Sequence, residues 1–231
     1  MRRLGLIGGI SWVSTRTYYE QINRIVQRRL DRRSSAPLLI ESLDFSQLYA
    51  LSEEEDWLRA AAILVDSAQR LERAGAEALI IGANSMHRVF DQVEDAVNVP
   101  IFHIADVVGE RMAANGAPRA ALIGTSNVMT GNYYRRRLVS HGIDLLPPDT
   151  DTLAQLDTII YDELMVGRAT RHSERVLKTI ITKLEQEGAK AIILASTELG
   201  LIVDVDANVL PIYDSTRIHA EYAAGWILGD G

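Results

Sequence analysis

Cysteine is absent from the 231 residues, which excludes disulfide bonds, thiolate metal sites and thiol nucleophiles. No apolar run approaches the roughly 18 residues of a membrane span, and the run after Met1 is too short for a signal peptide. Acidic residues outnumber basic ones by 31 to 24, which argues against a nucleic-acid surface, because phosphate contacts need clustered Lys and Arg. We therefore expect a cytoplasmic protein with neither nucleic-acid nor membrane partners.

The glycine-rich motifs of nucleotide-binding proteins are missing as well. The sequence has no Gly-x-Gly-x-x-Gly and no phosphate loop ending in Lys-Ser or Lys-Thr, so no nucleotide cofactor is expected. Its five histidines lack the spacing of zinc ligands, and no metal is expected. Glu198 could act as a base beside Ser196, but no Gly-x-Ser-x-Gly elbow surrounds that serine, which disfavours a serine hydrolase.

The chain does contain an internal repeat. The segment 75–85 matches 188–198, which places Ala83 opposite Ser196. Three further pairs keep the same order and nearly the same offset: 6–9 with 122–125, 18–19 with 133–134, and 99–102 with 210–213. An internal duplication is the simplest explanation. With 47% apolar residues, the chain can form two lobes of roughly 100 residues, each with its own core.

Short apolar runs alternate with helical patterns along both halves. Strands are predicted at 4–7, 38–41, 79–81, 101–102, 120–123, 192–194 and 209–212. Helices are predicted at 15–30, 53–74, 88–97, 106–115, 133–141, 153–166, 172–187 and 215–228. This alternation predicts an α/β fold of two pseudo-symmetric lobes, each a mostly parallel sheet flanked by helices. We assign residues 1–100 plus 212–231 to the N-terminal lobe and 101–211 to the C-terminal lobe, with an active-site cleft between them.

Polar side chains concentrate in the loops that follow the predicted strands, where ligands bind in parallel sheets. The candidate binding residues are Ser11, Asn84, Ser85, Thr125 and Thr197. Their hydroxyl and amide groups suit a small carboxylate or amide ligand. The same residue types also cap helices. Capping is the favoured role for Ser14 and Ser215, whereas both roles stay open for Ser11, Asn84 and Thr125.

Several of these loops carry motifs that resemble the aspartate/glutamate racemase family. The matching segments, in order, are Gly8–Trp12, Asn84–His87, His103–Asp106, Thr197–Gly200 and Ile218–Glu221. The resemblance covers the whole chain and implies a homodimer that needs no pyridoxal phosphate and acts on a small amino acid or dicarboxylate. It further implies a two-base mechanism, in which one residue removes the α-proton from one face and its counterpart delivers a proton to the other.

The chain departs from the family at both catalytic positions, where relatives usually carry cysteine. Ala83 and Ser196 stand there, and some relatives have threonine at the first position. A methyl group carries no proton, and a serine hydroxyl is a weak base unless a neighbour such as Glu198 activates it. We therefore expect impaired or divergent racemase activity, from replacement that is either natural or engineered. A non-catalytic binder of small carboxylates or amino acids, or a homologue with another reaction, stays open.

Groups that bind the substrate carboxylates also differ from those of the relatives, which include an Arg and a Lys. The segment 49–56 is acidic here, and Val166 stands where a Lys often precedes Gly167. These losses count against an acidic substrate, and they favour natural divergence over deliberate removal of the cysteines.

Overall fold

The computed structural model describes residues 1–49, 51, 53–116, 119–205 and 208–230. The chain forms two compact units, one from Met1–His103 with the segment from His219 onward, and the other from Ile104–Ile218. Within the described residues, no helix is both long enough and apolar enough to cross a membrane.

The first unit contains a four-stranded parallel sheet in the order β2-β1-β3-β4. Its strands are β1 (Leu4–Gly8), β2 (Leu38–Ser42), β3 (Ala78–Ile81) and β4 (Ile101–Phe102). The helices associated with it are α1 (Trp12–Arg29), α2 (Glu54–Arg73) and α3 (Phe90–Glu94). A 3-10 turn at Ser85–Val89 precedes α3.

Both faces of this sheet are buried, as the continuous apolar runs of its strands predict. Along β3, Ala78 and Ile80 pack with Tyr18 of α1, whereas Leu79 and Ile81 pack with Leu64 of α2. This alternation follows from the period of two along a strand, which sends successive side chains to opposite faces. Helices therefore cover both faces of the sheet. The loops at its strand ends are left available to form a site.

The second unit repeats the arrangement with the order β6-β5-β7-β8, again parallel. Its strands are β5 (Arg119–Gly124), β6 (Asp144–Leu145), β7 (Ala191–Ala195) and β8 (Ile212–Asp214). Its helices are α4 (Ile104–Ala114), α5 (Ser126–Thr130), α6 (Asn132–Ser140), α7 (Leu153–Thr158) and α8 (Arg171–Gln186). The last helix, α9 (Ser215–Leu228), begins in this unit and ends in the first. The predicted fold class is confirmed, and the equal strand order supports duplication.

Three details of the prediction need correction. The predicted lobe boundaries were too early, because β4 pairs with β3 in the first unit and β8 pairs with β7 in the second. The strand predicted at 209–212 runs instead over Ile212–Asp214. The helix predicted at 153–166 is α-helical only to Thr158, after which Ile159–Glu163 is π-helical and Leu164–Val166 forms a 3-10 turn.

Candidate functional site

The first unit presents a tight turn between β1 and α1. Gly9 has a left-handed backbone with φ +81°, and its amide donates to Thr15 Oγ1 at 2.7 Å. Ser11 is the N-cap of α1, its Oγ accepting from the Ser14 amide at 3.5 Å. The predicted capping role of Ser14 is therefore wrong. Its hydroxyl lies within the helix and donates to the Gly82 carbonyl at 3.0 Å, which joins α1 to the end of β3.

Ala83 and Asn84 follow β3 and are buried, with exposed fractions of 4% and 3%. The Ala83 carbonyl accepts a hydrogen bond from His87 Nδ1 at 2.8 Å, and the Asn84 carbonyl accepts one from the His87 amide at 3.2 Å. Ser85, half-buried, begins the 3-10 turn that carries His87. The backbone at this strand end is thus well held, but the side chain at position 83 contributes no acid or base.

Three buried imidazoles lie behind this strand end. The ring of His87 is 4.4 Å from that of His103 and 6.2 Å from that of His219. His219 Nε2 donates to the Phe102 carbonyl at 3.0 Å, so Nδ1 is the nitrogen that accepts from the Tyr18 hydroxyl at 2.9 Å. Burial lowers the pKa of His219 to about 4, although the hydrogen bond to Phe102 acts in the opposite direction. This imidazole is therefore neutral at physiological pH and structural.

Acid should destabilise the first unit through His219. Its folded pKa lies below the unfolded value of about 6.5, so protons bind the unfolded chain preferentially as the pH falls from 6.5 towards 4. This group should contribute a loss of about 3 kcal/mol in the free energy of unfolding by pH 4. Urea unfolding between pH 4 and 8 measures the loss.

Two variants separate titration of His219 from the loss of its hydrogen bonds. His219→Gln should lower stability at pH 8 but reduce the slope of stability against pH below 6.5. Tyr18→Phe removes the hydroxyl partner and keeps the imidazole, so the slope should persist. An undiminished slope in His219→Gln would assign the pH dependence to other groups.

In the second unit, a carboxylate and two hydroxyls meet directly after β7. Ser196, Thr197 and Glu198 are 4%, 6% and 1% exposed. Ser196 Oγ donates to Glu198 Oε2 at 3.1 Å, and Thr197 Oγ1 donates to the same oxygen at 2.8 Å. The predicted pairing of Ser196 with Glu198 as a hydroxyl and its base is thus present in the geometry. A carboxylate placed this way can accept a proton from the serine hydroxyl or, by way of it, from a bound molecule.

Thr125 lies beside this cluster, because β5 pairs with β7 through Gly124 and Ala195. It is the N-cap residue of α5, yet its side chain makes no capping hydrogen bond. The hydroxyl is buried and has no hydrogen-bond partner among the described residues. A buried hydroxyl without a partner is costly, so this group is well suited to contact a ligand.

The amide of Ser126, at the start of α5, already holds a carboxylate of the chain. Asp157 of α7 accepts from the Ser126 amide at 2.8 Å and from its hydroxyl at 2.6 Å. This pair could not be predicted from the sequence, because no spacing rule connects two residues that are 31 positions apart.

Asp214, which sequence analysis also missed, ends β8 at the same edge of the sheet. Its Oδ1 accepts from the amides of Thr216 at 2.9 Å and Arg217 at 3.2 Å, so it caps α9. The predicted cap, Ser215, is therefore wrong. Ser215 lies instead beside the Tyr134 hydroxyl, whose pKa burial raises far above its usual range. An Asp two residues after the predicted strand 209–212 was the available sequence signal for this cap.

Asp106, in the His103–Asp106 motif, serves a structural contact. Its carboxylate binds Arg137 Nη1 at 2.6 Å and His141 Nε2 at 3.2 Å, which ties α4 to α6. In the first turn of α2, Glu54 pairs with Arg88, and Asp56 pairs with Arg59. Val166 is 58% exposed. Throughout the described ranges, no group of three or more His, Asp or Glu side chains is placed to hold a metal ion.

Comparison with known proteins identifies the lineage. The model of the Asp/Glu/hydantoin racemase family matches residues 7–223. The structure is similar to that of a candidate Asp/Glu racemase from Yersinia pestis, with 38% identity, a TM-score of 0.88, and coverage of 99% of this chain and 100% of the other.

Two further relatives extend the comparison. An aspartate racemase homologue from Pyrococcus horikoshii is 32% identical with a TM-score of 0.85, and the alignment covers 99% of this chain and 100% of that one. The broad-specificity amino-acid racemase of Bacillus subtilis is 24% identical over 158 residues, 68% of each chain. The two repeated parallel sheets, the polar groups at their strand ends and these matches place the chain in the Asp/Glu/hydantoin racemase family.

Proposed function

We propose that this protein binds a small amino acid and exchanges its α-proton from one side only, through Glu198 and Ser196, without rapid racemisation. The observation that carries the proposal is the asymmetry between two equivalent strand ends. After β7, a buried carboxylate accepts a hydrogen bond from Ser196 at 3.1 Å. After β3, the matching position holds the methyl group of Ala83.

One base suffices for exchange of a proton with solvent, whereas inversion of a stereocentre by two bases needs a proton donor on the opposite face. Glu198 would accept the proton, and Ser196, whose hydroxyl donates to Glu198 at 3.1 Å, would relay it. Ala83 has no proton to deliver. The expected product of long incubation in deuterated water is therefore deuterated substrate of unchanged configuration.

Substrate binding would use the polar groups of the strand-end loops, namely Ser11, Asn84, Ser85, Thr125 and Thr197. Thr125 is the strongest candidate for a substrate contact, because its buried hydroxyl lacks a hydrogen-bond partner within the described residues. Ser11 is the weakest, because it already caps α1. The Bacillus subtilis relative is named for its broad specificity, which supports testing a wide panel of amino acids rather than aspartate and glutamate alone. The proposal includes a cofactor-free homodimer, whose assembly analytical ultracentrifugation can test.

Glu198→Gln should lower α-proton exchange by about 10²- to 10⁴-fold, the usual contribution of a positioned general base. The change keeps the side-chain shape and removes its basicity. Proton NMR in deuterated water, run on both enantiomers of each amino acid, measures the exchange, and chiral chromatography reports any inversion.

Glu110→Gln is a matched control, since it makes the same chemical change at an exposed position of α4. Its exchange rate should equal that of the wild type. Rapid interconversion of enantiomers by the wild-type protein would contradict the proposal. Exchange that survives Glu198→Gln unchanged would place the base elsewhere, with His87 the first residue to test.

Binding without chemistry is the second function to consider, because the chain has no cysteine to act as the thiol acid or base that the resemblance implies. It predicts that amino or dicarboxylic acids raise the melting temperature while α-proton exchange stays undetectable. A ligand at a hundredfold excess over Kd should add about 2.7 kcal/mol to the free energy of unfolding. Asn84→Ala with Thr197→Ala should remove that increase.

A further inference from the structure

The second unit contains a cavity of about 300 Å³ between α7 and α8, distinct from the residues that follow β7. Val176 and Ile180 of α8 supply its apolar surface, and Ile180 is buried. Thr152, at the start of α7, lies on the other side. The volume is at the lower end of the range found for small-molecule sites, so a compact ligand fits it best.

Three cationic or protonatable side chains line the same cavity: His172, Arg175 and Lys183. Lys183 already forms ion pairs, because its ammonium contacts Asp149 at 2.8 Å and Glu187 at 3.8 Å. The hydrogen bond to Asp149 raises the pKa of Lys183 above its usual value. In contrast, His172 and Arg175 have no ion-pair partner in the part of the chain that the structure describes.

The charges at this end of α8 run against helix electrostatics. Its first turn contains Arg171 and His172, of which only His172 lines the cavity, and Glu174 is the acidic residue there. The N-terminus of a helix carries about half a positive charge, so cations in the first turn are unfavourable. In a chain with a net charge of −7, such a cluster is not a consequence of composition. Residues that conflict with local preferences tend to mark functional sites.

We propose that this cavity is a second ligand site, which takes a small monocarboxylate with an apolar body. Arg175 would hold the carboxylate, since a guanidinium presents paired donors that match its two oxygens. The apolar body would lie on Val176 and Ile180. Contact of this body with the two apolar side chains gives affinity that a bare anion lacks, because it removes apolar surface from water.

Isothermal titration calorimetry on the full-length protein, at one ionic strength, can separate the contribution of the carboxylate from that of the apolar body. The ligands are hexanoate, acetate and hexanol. Hexanoate should bind at least tenfold tighter than either acetate, which lacks the apolar body, or hexanol, which lacks the charge. Amide NMR shifts should concentrate at Thr152, Val176 and Thr179.

Arg175→Ala should weaken hexanoate binding at least tenfold. Lys178→Ala is the matched control, because it removes the same charge from α8 at an exposed position outside the cavity. The affinity of this variant for hexanoate should stay within twofold of the wild-type value. Equal losses in the two variants, or equal binding of acetate and hexanoate, would overturn the proposal. Shifts at residues 196–198 instead of the cavity would also overturn it, by assigning the carboxylate to the strand-end site. These binding measurements do not depend on α-proton exchange, which tests the proposed function separately.

Discussion

Ala83→Cys combined with Ser196→Cys is expected to raise the rate of racemisation by at least about 10²-fold over the wild-type protein. Each thiol would add a proton-carrying group at a position where the sequence resemblance implies one, and a positioned acid or base contributes about 10²- to 10⁴-fold. At position 196, the thiol would lie beside the Glu198 carboxylate, which now accepts from the serine hydroxyl. Chiral chromatography from both enantiomers of an amino-acid panel measures the rate.

Single variants serve as the controls for this gain. Ser196→Cys alone should accelerate one-sided exchange without inversion, because Ala83 still provides no proton. Ala83→Ser with the native Ser196 should add little, since two hydroxyls are poor acids and bases. If the folded double variant were no faster than the better single one, positions 83 and 196 would not act on the same substrate.

Gly9→Ala should destabilise the protein by more than about 3 kcal/mol, or prevent its accumulation as folded protein. A Cβ at Gly9 would lie 2.1 Å from the Leu43 carbonyl oxygen and 2.3 Å from the Leu43 nitrogen. Both are backbone atoms, so no side-chain rotation relieves the overlap. The left-handed backbone at φ +81° adds roughly 1–2 kcal/mol for a residue with a Cβ. Urea unfolding measures the loss.

Gly116→Ala isolates the backbone contribution from the steric one. Gly116 also has positive φ, at +64°, but no atom of the described residues lies within 4 Å of the added Cβ. Its cost should therefore be limited to roughly 1–2 kcal/mol. Equal effects at the two positions would show that the turn after β1 relaxes, and that the contact with Leu43 does not restrict it.

The sequence alone determined the fold class and the duplicated plan. Burial of a sheet on both faces requires continuous apolar strands, as in β3 and β7, and helices that cover them have a different apolar period. Both signals are local, so they can be read without knowing which strands pair. Ser196 and Glu198 were also predictable as partners, because two residues of separation keep them in one turn. The catalytic roles of these residues, and of Ala83, stay predictions.

Tertiary structure decided the features that depend on residues distant in the chain. Spacing could not show that Ser14 binds the Gly82 carbonyl, or that Asp157 binds Ser126. The boundaries of the two units differ from the predicted ones because strand pairing, a non-local interaction, places β4 beside β3 and β8 beside β7. His219 lies 117 residues from Phe102, whose carbonyl selects its tautomer. Hydrogen bonds of buried groups are set by whichever partner packing brings within about 3 Å, and that proximity is absent from any local pattern.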